Sequence, residues 1–246
     1  MTEAPEGATP ATPATRAGSA ATEHALVVPR TARYYTLGPT HGFPRELWLV
    51  VHGYGQLARR FIRQFEALDD GARLIVAPEA LSRFYLDPIP MRRHDPSPRI
   101  GASWMTREDR LAEIADHVRY LDILVGDLRR SLAGAAPRVT VLGFSQGTAT
   151  VARWLAVTEQ RVDQVVMWGG SIPPEIDLAA WSLRLQGAPL TLVIGDSDEL
   201  VTPKAVAAEA ERLAAAGVAH TLRRHPGGHA VDAAELRSLA ESFGGH

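Results

Sequence analysis

Short runs rich in Val, Ile and Leu recur along this chain, and between them lie longer stretches whose apolar residues fall three or four apart. "LWLVVH" from Leu47, "RLIVAP" from Arg73, "RVTVLGF" from Arg138, "QVVMWGG" from Gln164, "PLTLVIG" from Pro189 and "AHTLRRH" from Ala219 have the length and β-branched content of strands. The segments near 57–69, 108–132, 146–157, 203–216 and 231–242 carry the helical period, and Pro203 suits a first helical turn. Strands alternating with helices predict an α/β protein: a mostly parallel twisted sheet with helices on both faces. Tyr34–Leu37 is expected to add an antiparallel edge strand.

A length of 246 residues, 46% of them hydrophobic and 22% charged, fits one domain over 23–246 with a sizeable core. The first 22 residues are mostly Ala, Thr, Pro and Gly, too poor in large apolar side chains to offset the entropy of ordering, and are expected to form a disordered tail. They lack the continuous apolar core of a secretory signal, and no later run of about 18 apolar residues could cross a bilayer. The expectation is a cytoplasmic protein without membrane insertion. A net charge of −2 and a pI near 6.5 give no electrostatic reason to expect nucleic acid as a partner. With no cysteine, disulfides, thiolate catalysis and cysteine-bound zinc are excluded, which leaves chemistry to oxygen and nitrogen groups.

One junction carries a chemical signal. In "VTVLGFSQGTATVARWLA", Gly143, Ser145 and Gly147 spell G-x-S-x-G between a strand and a helix. Glycines at these positions remove side chains that would collide with neighbouring backbone, so a sharp turn can hold Ser145 in a strained position with its hydroxyl exposed. A serine nucleophile needs a base and a group that orients the base. "LVIGDSDELV" places Asp196 and Asp198 beyond one later strand, and "RRHPGGHAVD" places His225 and His229 beyond the next. The order Ser, acid, His is that of the α/β-hydrolase architecture. His229 is preferred because a Gly-Gly precedes it, whereas His225 ends the strand pattern. For the oxyanion, "VVHGYGQ" supplies a glycine-broken turn after a strand, and the backbone N–H groups of Tyr54 and Gln146 are the expected donors. His52 is read as shaping that turn.

With those residues in place, the chain resembles the phospholipase/carboxylesterase group of α/β-hydrolases, which includes acyl-protein thioesterases. "HGYGQ" is similar to the group's oxyanion loop, "GFSQG" to its nucleophile elbow, "GDSDELV" to its acid loop and "GGH" to its histidine loop. The acid-loop match implies Asp198 as the triad acid beside Ser145 and His229, with Asp196 left to cap a turn. It also implies hydrolysis of carboxylic or thio esters on a small-molecule substrate, with no metal or organic cofactor.

The segment Glu79–Met105 departs from the short, glycine-rich piece of the thioesterase branch. It is expected to be a long loop forming a pocket wall or partial lid, with Phe84, Tyr85, Trp104 and Met105 as substrate contacts, Trp104 having the alternative role of a core anchor for the helix near 108. Trp168 and Ile172, after the strand that follows the nucleophile helix, are expected to join them. The resulting expectation is a serine hydrolase for short to medium acyl esters. Two alternatives share the fold: a small-peptide or C–C bond hydrolase, and a binding module without catalysis.

Overall fold

Among the described residues there are nine strands: β1 (Tyr34–Leu37), β2 (Glu46–Val51), β3 (Arg73–Pro78), β4 (Ser82–Tyr85), β5 (Ile100–Ser103), β6 (Arg138–Phe144), β7 (Gln164–Trp168), β8 (Leu190–Gly195) and β9 (His220–His225). The structure, a computed structural model, describes residues 21–40, 42–93, 95–132 and 134–244. Seven strands form one sheet in the order β1-β3-β2-β6-β7-β8-β9. β1 pairs antiparallel with β3, and every other neighbour is parallel.

Every residue of β2 is buried, and the two-residue period of a strand divides its side chains between two layers. Leu47, Leu49 and Val51 join one core; Trp48 and Val50 join the other. A strand buried on both faces needs apolar residues at every position, which is why its sequence does not alternate. The first layer is covered by α3 (Arg110–Ser131), α4 (Gln146–Leu155), α5 (Leu178–Arg184) and α6 (Pro203–Ala215) through Leu121, Trp154, Trp181 and Leu213. The second is covered by α1 (Ala58–Phe61), the 3-10 segment Ile62–Leu68 that continues it, and α7 (Ala233–Gly244) through Phe61, Phe65, Leu236 and Leu239. Each fully buried large side chain contributes about 1.5–3 kcal/mol. The indole N–H groups of Trp48, Trp154, Trp168 and Trp181 each find an oxygen at 3.0 Å, so burying them leaves no donor unpaired.

The sheet's outer strand β9 is mostly exposed or half-buried. Its charged residues suit an edge: Arg223 pairs with Glu235, and Arg224 with Asp196 at 2.7 Å. At the start of α6, Thr202 accepts a hydrogen bond from the Ala205 amide at 3.2 Å, and Pro203 occupies the first turn as its missing N–H allows.

Two expectations are corrected. The stretch Glu79–Met105 is no plain loop, because β4 and β5 pair antiparallel within it and the one-turn helix α2 (Ile89–Arg92) lies between them. The helix expected over 57–69 is α-helical only through Phe61 and tightens to 3-10 from Ile62. The short helix α5, capped by Asp177 on the Ala179 and Ala180 amides, was not foreseen.

The chain divides into two units, up to Thr31 and from Ala32 to His246. The stretch 1–22 expected to be a tail lies, apart from Ala21 and Thr22, outside the described residues; residues 21–31 carry no helix or strand. Among the described residues, no helix is long and apolar enough to cross a membrane.

Candidate active site

Parallel strands bring their carboxyl ends to one edge of the sheet, and the loops leaving β2, β6, β7, β8 and β9 gather there. The turn from β6 into α4 is the sharpest of them. Ser145 sits at φ 53°, ψ −117°, outside the regions a non-glycine residue favours, a conformation that costs of order 1–3 kcal/mol. Its amide donates to the Trp168 carbonyl at 2.9 Å, and its own carbonyl accepts from the Thr148 amide at 3.0 Å, so the strain is held from both sides. The flanking glycines are required by space. A Cβ on Gly143 would lie 2.6 Å from the Gly147 carbonyl oxygen, and one on Gly147 would lie 2.1 Å from that of Val51.

Of the two acids and two histidines at the ends of β8 and β9, one pair meets. His229 Nδ1 and Asp198 Oδ2 are 2.8 Å apart. Asp198 is buried, and its other oxygen accepts from the Leu200 and Val201 amides at 2.9 Å each. Those amides fix the carboxylate, and the carboxylate fixes the ring. The imidazole also lies against Phe144, ring centroids 4.9 Å apart, one residue before Ser145. A Cβ on Gly169 would come within 3.3 Å of the same ring, so that glycine, at the end of β7, makes room for it. Ser145 Oγ makes no hydrogen bond to the ring among the described residues. Asp196 points elsewhere, pairing with Arg224 at 2.7 Å. His225 is buried against Trp168 and accepts from the Gly227 amide at 3.1 Å.

On the opposite flank of Ser145 lies the 53–56 turn. A Cβ on Gly53 would be 3.1 Å from Ser145 Cβ, which places the turn directly beside Ser145. The amides of Tyr54 and Gln146 have no partner among the described residues; as the first residue of α4, Gln146 has no intrahelical carbonyl to meet. His52 Nδ1 is 2.7 Å from the Gly53 carbonyl and Nε2 accepts from the Ala80 amide at 3.1 Å, so the ring braces the turn from below. The expected substrate residues separate into two groups. Phe84 stacks on Tyr54 with centroids 5.2 Å apart, Tyr85 is exposed and Met105 half-buried. Trp104, Trp168 and Ile172 are buried within the two cores, where the structure does not bring them to an open surface. Their bulk and their indole N–H groups are satisfied internally, Trp104 by the His52 carbonyl at 2.8 Å and Trp168 by that of Ala230 at 3.0 Å.

Two side chains with a part in this geometry were not singled out from sequence. Gln56 Oε1 accepts from the Gly53 amide at 2.8 Å and closes the turn, a local bond that the three-residue spacing allows. The Gln146 side chain reaches Ser103, Trp104 and Met105, which no local spacing reveals.

A family model for the FSH1 serine hydrolases matches residues 45–236. The chain belongs to the FSH1 serine hydrolase family. No curated protein is a significant match in sequence. Among solved structures, this hydrolase is similar to the esterase PE8, at 20% identity over 87% of this chain and 98% of that one with a TM-score of 0.63. It is also similar to a carboxylesterase from Mesorhizobium loti, at 18% identity over 87% and 95% with a TM-score of 0.64. Acyl-protein thioesterase 2 from Zea mays matches at 16% identity over 87% and 98% with a TM-score of 0.60. At these identities the likeness establishes the α/β-hydrolase fold, which agrees with the expectation from sequence.

The hydrolase's electrostatics differ between the two flanks. Burial pushes the Asp198 carboxyl up, but the Val201 amide, the His229 ring and the Leu200 amide outweigh it and hold the group below the usual carboxylate range. Burial dominates at His52 and lowers it to about 4, and it does the same at His117, whose Nδ1 lies 3.3 Å from the Trp104 carbonyl. Both rings are neutral near pH 7.

Proposed function

We propose that this FSH1-family hydrolase is a carboxylesterase-type enzyme that cleaves short to medium acyl esters, or the corresponding thioesters, through an acyl-enzyme. The observation that carries the reading is the 2.8 Å contact between Asp198 and His229 on the strand ends next to the strained Ser145 elbow. In this mechanism His229 Nε2 takes the proton of Ser145 Oγ as that oxygen attacks the ester carbonyl carbon, and Asp198 fixes the tautomer and stabilises the imidazolium. The Tyr54 and Gln146 amides receive the oxyanion, whose charge the N-terminus of α4 also favours. The tetrahedral intermediate collapses with loss of the alcohol, which takes its proton from His229. Water then repeats the sequence on the acyl group and frees Ser145.

The acyl preference rests on apolar surface beside the 53–56 turn and on a cavity next to the acid loop. Tyr54, Phe84 and Leu86 lie on the oxyanion side. Beside the acid loop, a cavity of about 140 Å³ is lined by Met167, Leu200, Val201 and Val206. Each substrate methylene buried there contributes about 0.8 kcal/mol. Esterase, carboxylesterase and thioesterase names among the similar structures lend support to ester chemistry. The test is kcat/KM for p-nitrophenyl acetate through decanoate: it should climb a few-fold per added methylene and then level off. Acetate favoured over every longer ester would overturn the acyl preference, and no turnover of any ester would point to another serine-hydrolase reaction on the same fold.

A further inference from the structure

Gln146 follows Ser145, and its side chain reaches the end of β5 and the two residues beyond it. Oε1 accepts from the Trp104 backbone amide at 3.1 Å; Nε2 donates to the Met105 carbonyl at 2.8 Å and to Ser103 Oγ at 3.3 Å. The amide's orientation follows from its partners, an N–H on one side and a carbonyl on the other. No other side chain of this length supplies both a donor and an acceptor in one plane.

The segment that Gln146 grips is in turn bonded to the 53–56 turn. Trp104 Nε1 donates to the His52 carbonyl at 2.8 Å, the Gly55 amide donates to the Ala102 carbonyl at 2.9 Å, and the Ala102 amide donates to the Gln56 carbonyl at 3.1 Å. The backbones are close enough that a Cβ on Gly101 would lie 2.4 Å from the Gly55 carbonyl oxygen. A continuous chain of hydrogen bonds therefore runs from Gln146, whose own amide is one oxyanion donor, through residues 102–105 to the turn that carries the other donor, the Tyr54 amide.

We propose that the Gln146 side chain is a positioning residue that sets the spacing between the two halves of the oxyanion hole, using the hairpin as a strut. The inference rests on the reading of Ser145 as nucleophile with the Tyr54 and Gln146 amides as oxyanion donors. An amide displaced from the oxyanion's position loses most of its worth, because the interaction strengthens only as charge develops on that oxygen. Cutting the strut therefore lowers kcat and leaves ground-state binding of the ester in place. A residue needed only for stability would lower the melting temperature without that split.

The experiment compares wild type, Gln146→Met, Trp104→Phe and the double variant, with steady-state kinetics on p-nitrophenyl butyrate, thermal unfolding, and hydrogen exchange at the Gly55 and Ala102 amides. Gln146→Met should lose about 10–100-fold in kcat with KM within about 3-fold, and both amides should exchange faster. The double variant should lose less than the product of the two single losses, since either cut releases the same strut. If Gln146→Met does not fold, Gln146→Glu removes the donor toward Met105 and should give the same split. The proposal is overturned if kcat stays within about 2-fold of wild type, if exchange at Gly55 and Ala102 is unchanged, or if the two losses multiply. Should wild type turn over no ester, the functional reading fails by itself and the exchange measurement still decides the strut.

Discussion

On one flank of Ser145, Asp198 and His229 meet through loops that stay within a few residues of their own strand ends. Asp198 is fixed by the amides two and three residues on, and His229, which follows a Gly-Gly after β9, is held by Asp198 and against Phe144. The other flank draws on three stretches far apart in sequence, 52–56, 102–105 and Gln146, joined by side-chain and backbone hydrogen bonds. On the Asp198 side the carboxylate is held locally and the ring through two neighbouring strand ends; on the 53–56 side the links cross between distant stretches. A locally held group tolerates distant change; a group held through a strut inherits the stability of everything along it.

The comparison is broken most directly at Asp198. Asp198→Asn should cost about 10³–10⁴ in kcat by mis-setting the tautomer of His229, with little loss of melting temperature. That is well above the loss expected for cutting the strut, and kinetics of the two variants under one set of conditions would check it. Equal losses would mean that the acid does not orient the base.

The flanks should also separate in acid. His52 and His117 have folded values of about 4 against an ordinary 6.5, so the unfolded chain binds protons first; their contribution is fully present above pH 6.5 and is lost as pH falls toward 4. Complete protonation in the unfolded state alone would remove up to roughly 3 kcal/mol per histidine. Asp198 is held below its ordinary 3.8, so its contribution persists through that window and is lost only at lower pH. Melting temperature measured from pH 7 to pH 4.5 should therefore fall, and fall less steeply in His52→Gln, whose curve starts lower. Parallel curves would remove His52 as a source of the acid sensitivity.

The smallest expected effect is at Asp196. Its pair with Arg224 is half-exposed on the sheet edge, so Asp196→Asn should leave kcat within about 2-fold and change stability by less than about 1 kcal/mol. A loss comparable to that of Asp198→Asn would show that the two acids cannot be told apart by their loops.

The same division explains what could be read from the chain alone. β2, β3, β6, β7 and β8 were visible because each carries an apolar run, β9 having only a short one before Arg223 and Arg224, and the elbow because Gly143 and Gly147 flank Ser145 at fixed spacing. His229 was separable from His225 by the Gly-Gly before it, and Asp198 from Asp196 only through the resemblance of "GDSDELV" to the group's acid loop. The β4–β5 hairpin was not visible: "SRFY" and "IGAS" are separated by a long proline-containing stretch, and the contacts both make with the 53–56 turn come from a distant part of the chain. Trp104 was expected either at a pocket wall, because so many large apolar groups are seldom all left in water, or as a core anchor for the helix near 108, and it is buried in the core. Its partners, the His52 carbonyl and the His117 ring at 6.2 Å, come from other parts of the chain. The second role of Gln146 was hidden for the same reason.

The central claim is that Ser145 is the nucleophile that His229 and Asp198 serve, and it is tested most directly by locating a covalent adduct. Wild type and Ser145→Ala would be incubated with a fluorophosphonate and examined by intact mass and peptide mapping. The account predicts one adduct per wild-type chain, on Ser145, no adduct on the alanine variant, and loss of about 10⁴-fold or more in its kcat with unfolding unchanged. An adduct on a different serine, or an alanine variant that still turns over ester, would contradict it.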